Sequence, residues 1–148
     1  MMPNIQISGL AILLTVVATF IFGFIWYTPL FGKAWAKELG LNMDRKPTTG
    51  EFMKGITLNL LGNLLMAWVL AHNCAVWNPT TWGLPASTEM TPGFMAVMSG
   101  LFTYLGFFLP TDLSTIAWEG KSMKLFFINT FYHLGNVLIA SFILIFVH

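Results

Sequence analysis

The chain has 148 residues, of which 56% are hydrophobic, 16% aromatic and only 9% charged. A water-soluble domain carries about 25% charged residues to solvate its surface. Seven Lys/Arg and six Asp/Glu at a mean hydropathy of +0.72 exclude such a domain and imply an integral membrane protein. The near balance of charge excludes a strongly acidic or basic partner surface, nucleic acid included. A single cysteine, Cys74, excludes an internal disulfide framework and a Cys-based metal site.

A span needs roughly 20 mostly apolar residues to cross about 30 Å of hydrocarbon, and four stretches qualify. The first covers residues 8–30 and ends near Pro29. It is too long for a cleaved signal peptide, and Met1 to Ser8 carries no positive residue. The loop over 31–53 begins with Phe31 to Leu41, which reads as a short interfacial helix with Lys33 and Lys37 toward anionic lipid. Thr48-Thr49-Gly50-Glu51 has capping-box spacing just before the second span, residues 54–74. The loop over 75–91 holds Pro79, Pro85, Trp77 and Trp82 with one charge, Glu89. It is too apolar to be freely solvated and is expected to fold over the bundle end or onto the membrane surface. Thr91-Pro92 opens the third span, 92–111, which ends near Pro110. A loop over 112–121 leads to the fourth span, 122–147, capped by Ser122, with His148 at the terminus.

All seven cations fall in or beside the first and third loops: Lys33, Lys37, Arg45, Lys46, Lys54, Lys121 and Lys124. The positive-inside rule assigns that side to the cytoplasm, so both termini, Met1 and His148, are expected outside. Trp26, Tyr27, Trp35 and Trp118 near one boundary, with Trp77 and Trp82 near the other, form an aromatic belt.

The two halves resemble each other. At an offset of 83, Gly23-Phe24 matches Gly106-Phe107, Thr28 matches Thr111, Leu30 matches Leu113 and Ala34-Trp35 matches Ala117-Trp118. At an offset of 70, Met53-Lys54 matches Met123-Lys124 and Asn59 matches Asn129, with Asn63 opposite His133. Each half holds two spans, so the repeat is parallel. The expected fold is an all-α membrane protein: four transmembrane helices forming two hairpins around a pseudo-twofold axis along the membrane normal.

Polar residues inside the spans need partners, because no water is present to satisfy them. Asn59 and Asn63 share one face of the second span, and Asn129, His133 and Asn136 share one face of the fourth, with Tyr132 beside them. Thr103 and Tyr104 lie deep in the third, and Asp112 follows Pro110 near its end, where a capping or interfacial carboxylate is expected. One reading makes these residues interhelical hydrogen-bond glue. The other makes Asn59, Asn63, Tyr104, Asp112, Asn129, His133 and Asn136 a polar axis that passes a proton, ion or small solute, with His133 the ionisable group near mid-membrane. His133 is then expected in the interior, near Asn63.

His72 and Cys74 are two soft-metal ligands without a third, and no nucleophile, phosphate-loop, cofactor or metal motif is present. Catalytic residues are therefore not assigned. An enzyme acting on a lipidic or quinone-like substrate stands third, behind a transporter and a non-catalytic or bilayer-sensing module. Four helices are few for a self-contained transporter, so a homo-oligomer in the lipid bilayer is the expected assembly.

The run Gly23-Phe24-Ile25-Trp26-Tyr27-Thr28-Pro29-Leu30-Phe31-Gly32-Lys33-Ala34-Trp35 resembles the hallmark of a family of small bacterial membrane proteins, the domain of unknown function 1761 family. Here Leu30 and Phe31 are adjacent, a departure from the spaced form of the motif. The resemblance extends to chain size and span layout and implies a four-span inner-membrane protein. It brings no activity with it.

Overall fold

The computed structural model describes residues 2–147, so the expectations for Met1 and His148 lie outside the described residues. Helix α1, Gly9–Leu30, starts where the Ser8 side chain accepts the Ala11 amide. Its last five residues, Trp26–Leu30, widen into a π turn around Pro29, which has no amide hydrogen to continue the α ladder. The Phe31 amide closes that turn onto the Trp26 carbonyl at 2.9 Å. Gly32 is required next, because a Cβ there would lie 2.6 Å from the Tyr27 carbonyl oxygen. The spacing Trp-Tyr-Thr-Pro-Leu-Phe-Gly thus specifies a sharp exit into the short helix α2, Gly32–Glu38.

Helix α3, Thr49–Val76, carries the capping box read from the sequence, with Thr48 and Glu51 satisfying each other's amides. A single 3₁₀ turn, Pro79–Trp82, follows. Helix α4, Pro92–Glu119, is capped by Thr91 and contains a second π turn, Tyr104–Phe108, directly before Pro110. Gly120, at φ 64°, ends it, and Ser122 caps helix α5, Met123–Phe146. The helices α1, α3, α4 and α5 are each long and apolar enough to cross a membrane.

Two boundaries differ from expectation. Residues 112–119, expected as loop, are helical, because Pro110 is absorbed by the π turn instead of terminating α4. Thr111, Ser114 and Thr115 return hydroxyl hydrogen bonds to their own helix carbonyls. Helix α3 likewise begins at Thr49, where the capping box is, five residues before the apolar run. The short helix expected over 31–41 is present as α2 and is tied to the bundle. Glu38 accepts the Ser122 hydroxyl and lies 3.8 Å from the Lys124 ammonium.

Helix α5 is the centre of the packing and touches α1, α3 and α4. Helix α3 also packs on α1 and α4, while α1 and α4 occupy opposite corners of the resulting rhombus. The least exposed side chains are small: Ala11, Thr15 and Thr19 on α1, Ala67 on α3, Ala96 and Ser99 on α4, Val137, Ala140 and Ser141 on α5. Large apolar residues such as Leu13, Val17, Phe24, Leu65, Phe127 and Phe131 face outward. That inversion is what a lipid solvent selects: tails solvate leucine well, so helices associate through close backbone approach instead. One such approach is at Gly100, where a Cβ would lie 2.9 Å from Leu138 Cδ2 and 3.3 Å from Leu138 Cα. At one end of the bundle the 75–91 segment folds over the helix termini, the Asn4 amide bonding the Thr81 carbonyl and Trp82 Nε1 the Val76 carbonyl.

Candidate functional site

The polar residues are distributed along α5 and the helices around it. Nearest the Ser122 end, Trp26 Nε1 donates to the Ile128 carbonyl at 3.0 Å and Tyr27 Oη to Asn129 Oδ1 at 3.0 Å. These two bonds are made by the π turn of α1, whose widened backbone presents both aromatic residues to α5. Tyr132 stands beside them, 4.8 Å from the Tyr27 ring centroid and 5.7 Å from that of Phe22. Its ring fits against α1 because residue 23 is glycine: a Cβ there would lie 3.0 Å from the Tyr132 Oη.

One turn further along α5, His133 Nδ1 meets Asp112 Oδ2 at 2.8 Å. The Asp112 side chain is 8% exposed and that of His133 27%, so the imidazole is the member of the pair open to the surroundings. Phe108, at the end of the second π turn, covers the imidazole at 5.1 Å between ring centroids. His133 lies ten residues into α5, about 15 Å from its start at 1.5 Å per residue, which is deep in the apolar length of the helix. The carboxylate thus sits deep between two helices, where the sequence suggested a cap or an interfacial group.

The other expected residues make separate contacts. Asn63, buried on α3, donates to Asn59 Oδ1 on the same helix at 3.1 Å. The hydrogen-bond partner of His133 is therefore Asp112, and that of Asn63 is Asn59. Tyr104 Oη and Thr130 Oγ1 share a buried hydrogen bond of 2.7 Å between α4 and α5. Asn136 reaches only the Met66 sulfur, at 3.5 Å, and its Oδ1 is buried without a partner among the described residues. Asn73, unremarked in the sequence, joins α3 to α4 through Thr103 Oγ1 at 2.6 Å.

His72 bonds the Trp68 carbonyl of its own helix, whereas Cys74 is buried, so the two do not form a site. Among the described residues no three His, Cys, Asp or Glu side chains come together. The Asp112–His133 pair could have been read from the hairpin. The short connection at Gly120–Ser122 brings residues about equally far from Lys121 to similar depth, and Asp112 lies nine before it and His133 twelve after. The Tyr27–Asn129 bond had no comparable signal, because it depends on the π turn.

Two cavities flank this line. One, of about 560 Å³, opens between α1 and the first half of α3, with Tyr27, Asn59 and Tyr132 in its walls. The other, of about 430 Å³, lies under the 75–91 segment near Cys74. No curated protein and no solved structure matches the chain. The family model described as Protein of unknown function (DUF1761) matches residues 10–145. That stretch runs from the first turn of α1 to the last turn of α5, and the chain belongs to the DUF1761 family.

Proposed function

We propose that this protein is a proton-handling membrane channel or transporter, with Asp112 and His133 as the groups that hold the proton. One observation carries the reading: a carboxylate and an imidazole 2.8 Å apart, well inside two apolar helices. Ionisable side chains at such depth are costly and mark proton or ion paths by default. An imidazole can bind and release a proton at a ring nitrogen, and the carboxylate beside it can share that proton. In this reading His133 takes the proton and the buried Asp112 beside it stabilises the imidazolium.

A second reading keeps its own support. Tyr27–Asn129, Tyr104–Thr130 and Asn73–Thr103 each tie two helices together, as interhelical glue does. In this reading Asp112–His133 is one more tie and the protein is a non-catalytic membrane module.

The topology belongs to the same proposal. Glu38 contacts Ser122 and Lys124, which brings the two lysine-bearing connections to one end of the bundle. The positive-inside rule then assigns that end to the cytoplasm of a bacterial inner membrane, with four passes and both termini outside. The rhombus, with α1 and α4 at opposite corners and a π turn in each, supports two hairpins related by a pseudo-twofold axis. The matched pair Gly23 and Gly106 differs in its surroundings: Gly23 is packed on Tyr132, and Gly106 faces open space. Four helices are few for a self-contained transporter, so the proposal includes assembly as a homo-oligomer.

Proton flux into liposomes containing an entrapped pH dye tests the reading. Wild-type protein should dissipate an imposed pH gradient, and Asp112→Asn, nearly equal in volume, should dissipate it at least tenfold more slowly while remaining assembled. Equal rates for the two proteins would return the pair to a structural role.

A further inference from the structure

The cleft between α1 and the first half of α3 is a second site, separate from Asp112 and His133. Six aromatic rings line it: Phe20, Phe24, Tyr27, Trp35, Phe52 and Tyr132. From Thr49 to Gly62 no residue of α3 is buried, so this half of the helix stands off the bundle and the cleft stays open. Its volume of about 560 Å³ falls in the range of small-molecule sites, about 300–1,000 Å³.

The polar groups in its walls are the informative part. Tyr132 is 9% exposed. Of the three tyrosines, Tyr27 and Tyr104 have hydrogen-bond partners, while the Tyr132 Oη has none among the described residues. That hydroxyl lies against Gly23, itself a wall of the cleft. Asn59 accepts from Asn63 through Oδ1, which leaves its Nδ2 with two hydrogens to donate. The Tyr132 ring is buried while its hydroxyl oxygen keeps some accessible surface, so the O–H is free to donate to a molecule in the cleft. The single charge in the walls, Glu51, is neutralised at 2.7 Å by Arg45. The cleft therefore offers aromatic walls, hydrogen-bond donors that include Tyr132 Oη and Asn59 Nδ2, and no uncompensated charge.

We propose that this cleft binds a neutral, planar, lipid-soluble molecule bearing carbonyl acceptors, the chemistry of a quinone with an apolar tail. The ring would stack among the aromatic walls, a carbonyl oxygen would accept from Tyr132 Oη or Asn59 Nδ2, and the tail would leave between α1 and α3 into lipid. A phospholipid also carries ester carbonyls that accept hydrogen bonds, but it has no flat ring to stack among the aromatic walls.

Photolabelling in liposomes with a short-chain azidoubiquinone tests this. Label should map to the peptides holding Phe20–Tyr27 and Phe52–Asn59, and excess unmodified ubiquinone should compete it away, whereas excess phospholipid should not. Tyr132→Phe removes only the hydroxyl and Asn59→Leu keeps the branching of the side chain, and each should weaken competition roughly fivefold, the effect of one hydrogen bond. Gly55→Leu fills the cleft from a wall position with no atom within 4 Å of the new Cβ, so the fold survives, and it should abolish specific label. Label scattered over outward residues such as Trp68, competition by phospholipid equal to that by ubiquinone, or wild-type competition in all three variants would overturn the proposal. Labelling of an Asp112→Asn protein is expected to be normal, so this result stands apart from the outcome of the proton-flux test.

Discussion

Gly100 gives the packing argument a quantitative form. Replacing it with alanine has two opposed effects. Removing a helical glycine favours the helix by up to about 1 kcal/mol. The new Cβ, however, would lie 2.9 Å from Leu138 Cδ2, 3.1 Å from Ser141 Oγ and 3.3 Å from Leu138 Cα. The methyl group of Leu138 can rotate away, but its Cα moves only if α5 moves. Such overpacking costs about 1–3 kcal/mol. Gly62, also mid-helix, has no atom within 4 Å of its would-be Cβ, so Gly62→Ala keeps the propensity gain and omits the clash. The difference between the two variants isolates the contact, and it should be about 1–3 kcal/mol with Gly100→Ala the less stable. Reversible unfolding in mixed dodecyl maltoside and SDS micelles, followed by tryptophan fluorescence, measures it. Equal stability of the two alanine variants would refute the close α4–α5 approach, and with it the frame that holds Asp112 against His133.

In the same unfolding assay a double-mutant cycle of Asp112→Asn and His133→Gln should give a coupling above about 2 kcal/mol, since breaking a buried ion pair costs about 3–5 kcal/mol while a neutral intramembrane hydrogen bond averages about 0.6. A coupling near the lower figure would mean the pair is uncharged. Gly32→Ala should be destabilised more than Gly50→Ala, because its Cβ meets the Tyr27 backbone oxygen at 2.6 Å while that of residue 50 meets nothing within 4 Å. Equal thermal stability of these two variants would argue against the π-turn exit. Lys37→Cys in a Cys74→Ala background should resist a membrane-impermeant maleimide in intact cells, while Glu89→Cys should react. Labelling of Lys37→Cys from outside would invert or discard the topology.

Capping chemistry was the most legible part of the fold. Thr48, Thr91 and Ser122 each cap a helix as read from the sequence, Ser8 does so without having been singled out, and the apolar length marks the four long helices. Pro110 misled, because the rule that proline ends a helix assumes an α ladder, and the π turn at Tyr104–Phe108 lets α4 run on to Glu119. The hairpin at Gly120–Ser122 makes Asp112 and His133 legible as neighbours, whereas the contacts of Asn59, Asn63, Tyr104, Asn129 and Asn136 were not. Periodicity aligns Asn129, His133 and Asn136 on α5, yet what each one meets depends on the rotation of the neighbouring helix. That rotation is set by small residues such as Gly23 and Gly100, which look alike in sequence to Gly62 and Gly106 and differ only in what lies beside them.

The most direct test of proton handling compares wild-type protein with His133→Asn in liposomes, measuring proton flux at a fixed gradient from pH 5 to pH 8. Imidazole can bind and release a proton at a ring nitrogen and an amide cannot. The account predicts that wild-type flux varies strongly with pH and that the assembled variant loses this dependence. A folded His133→Asn protein with the wild-type pH profile would contradict it.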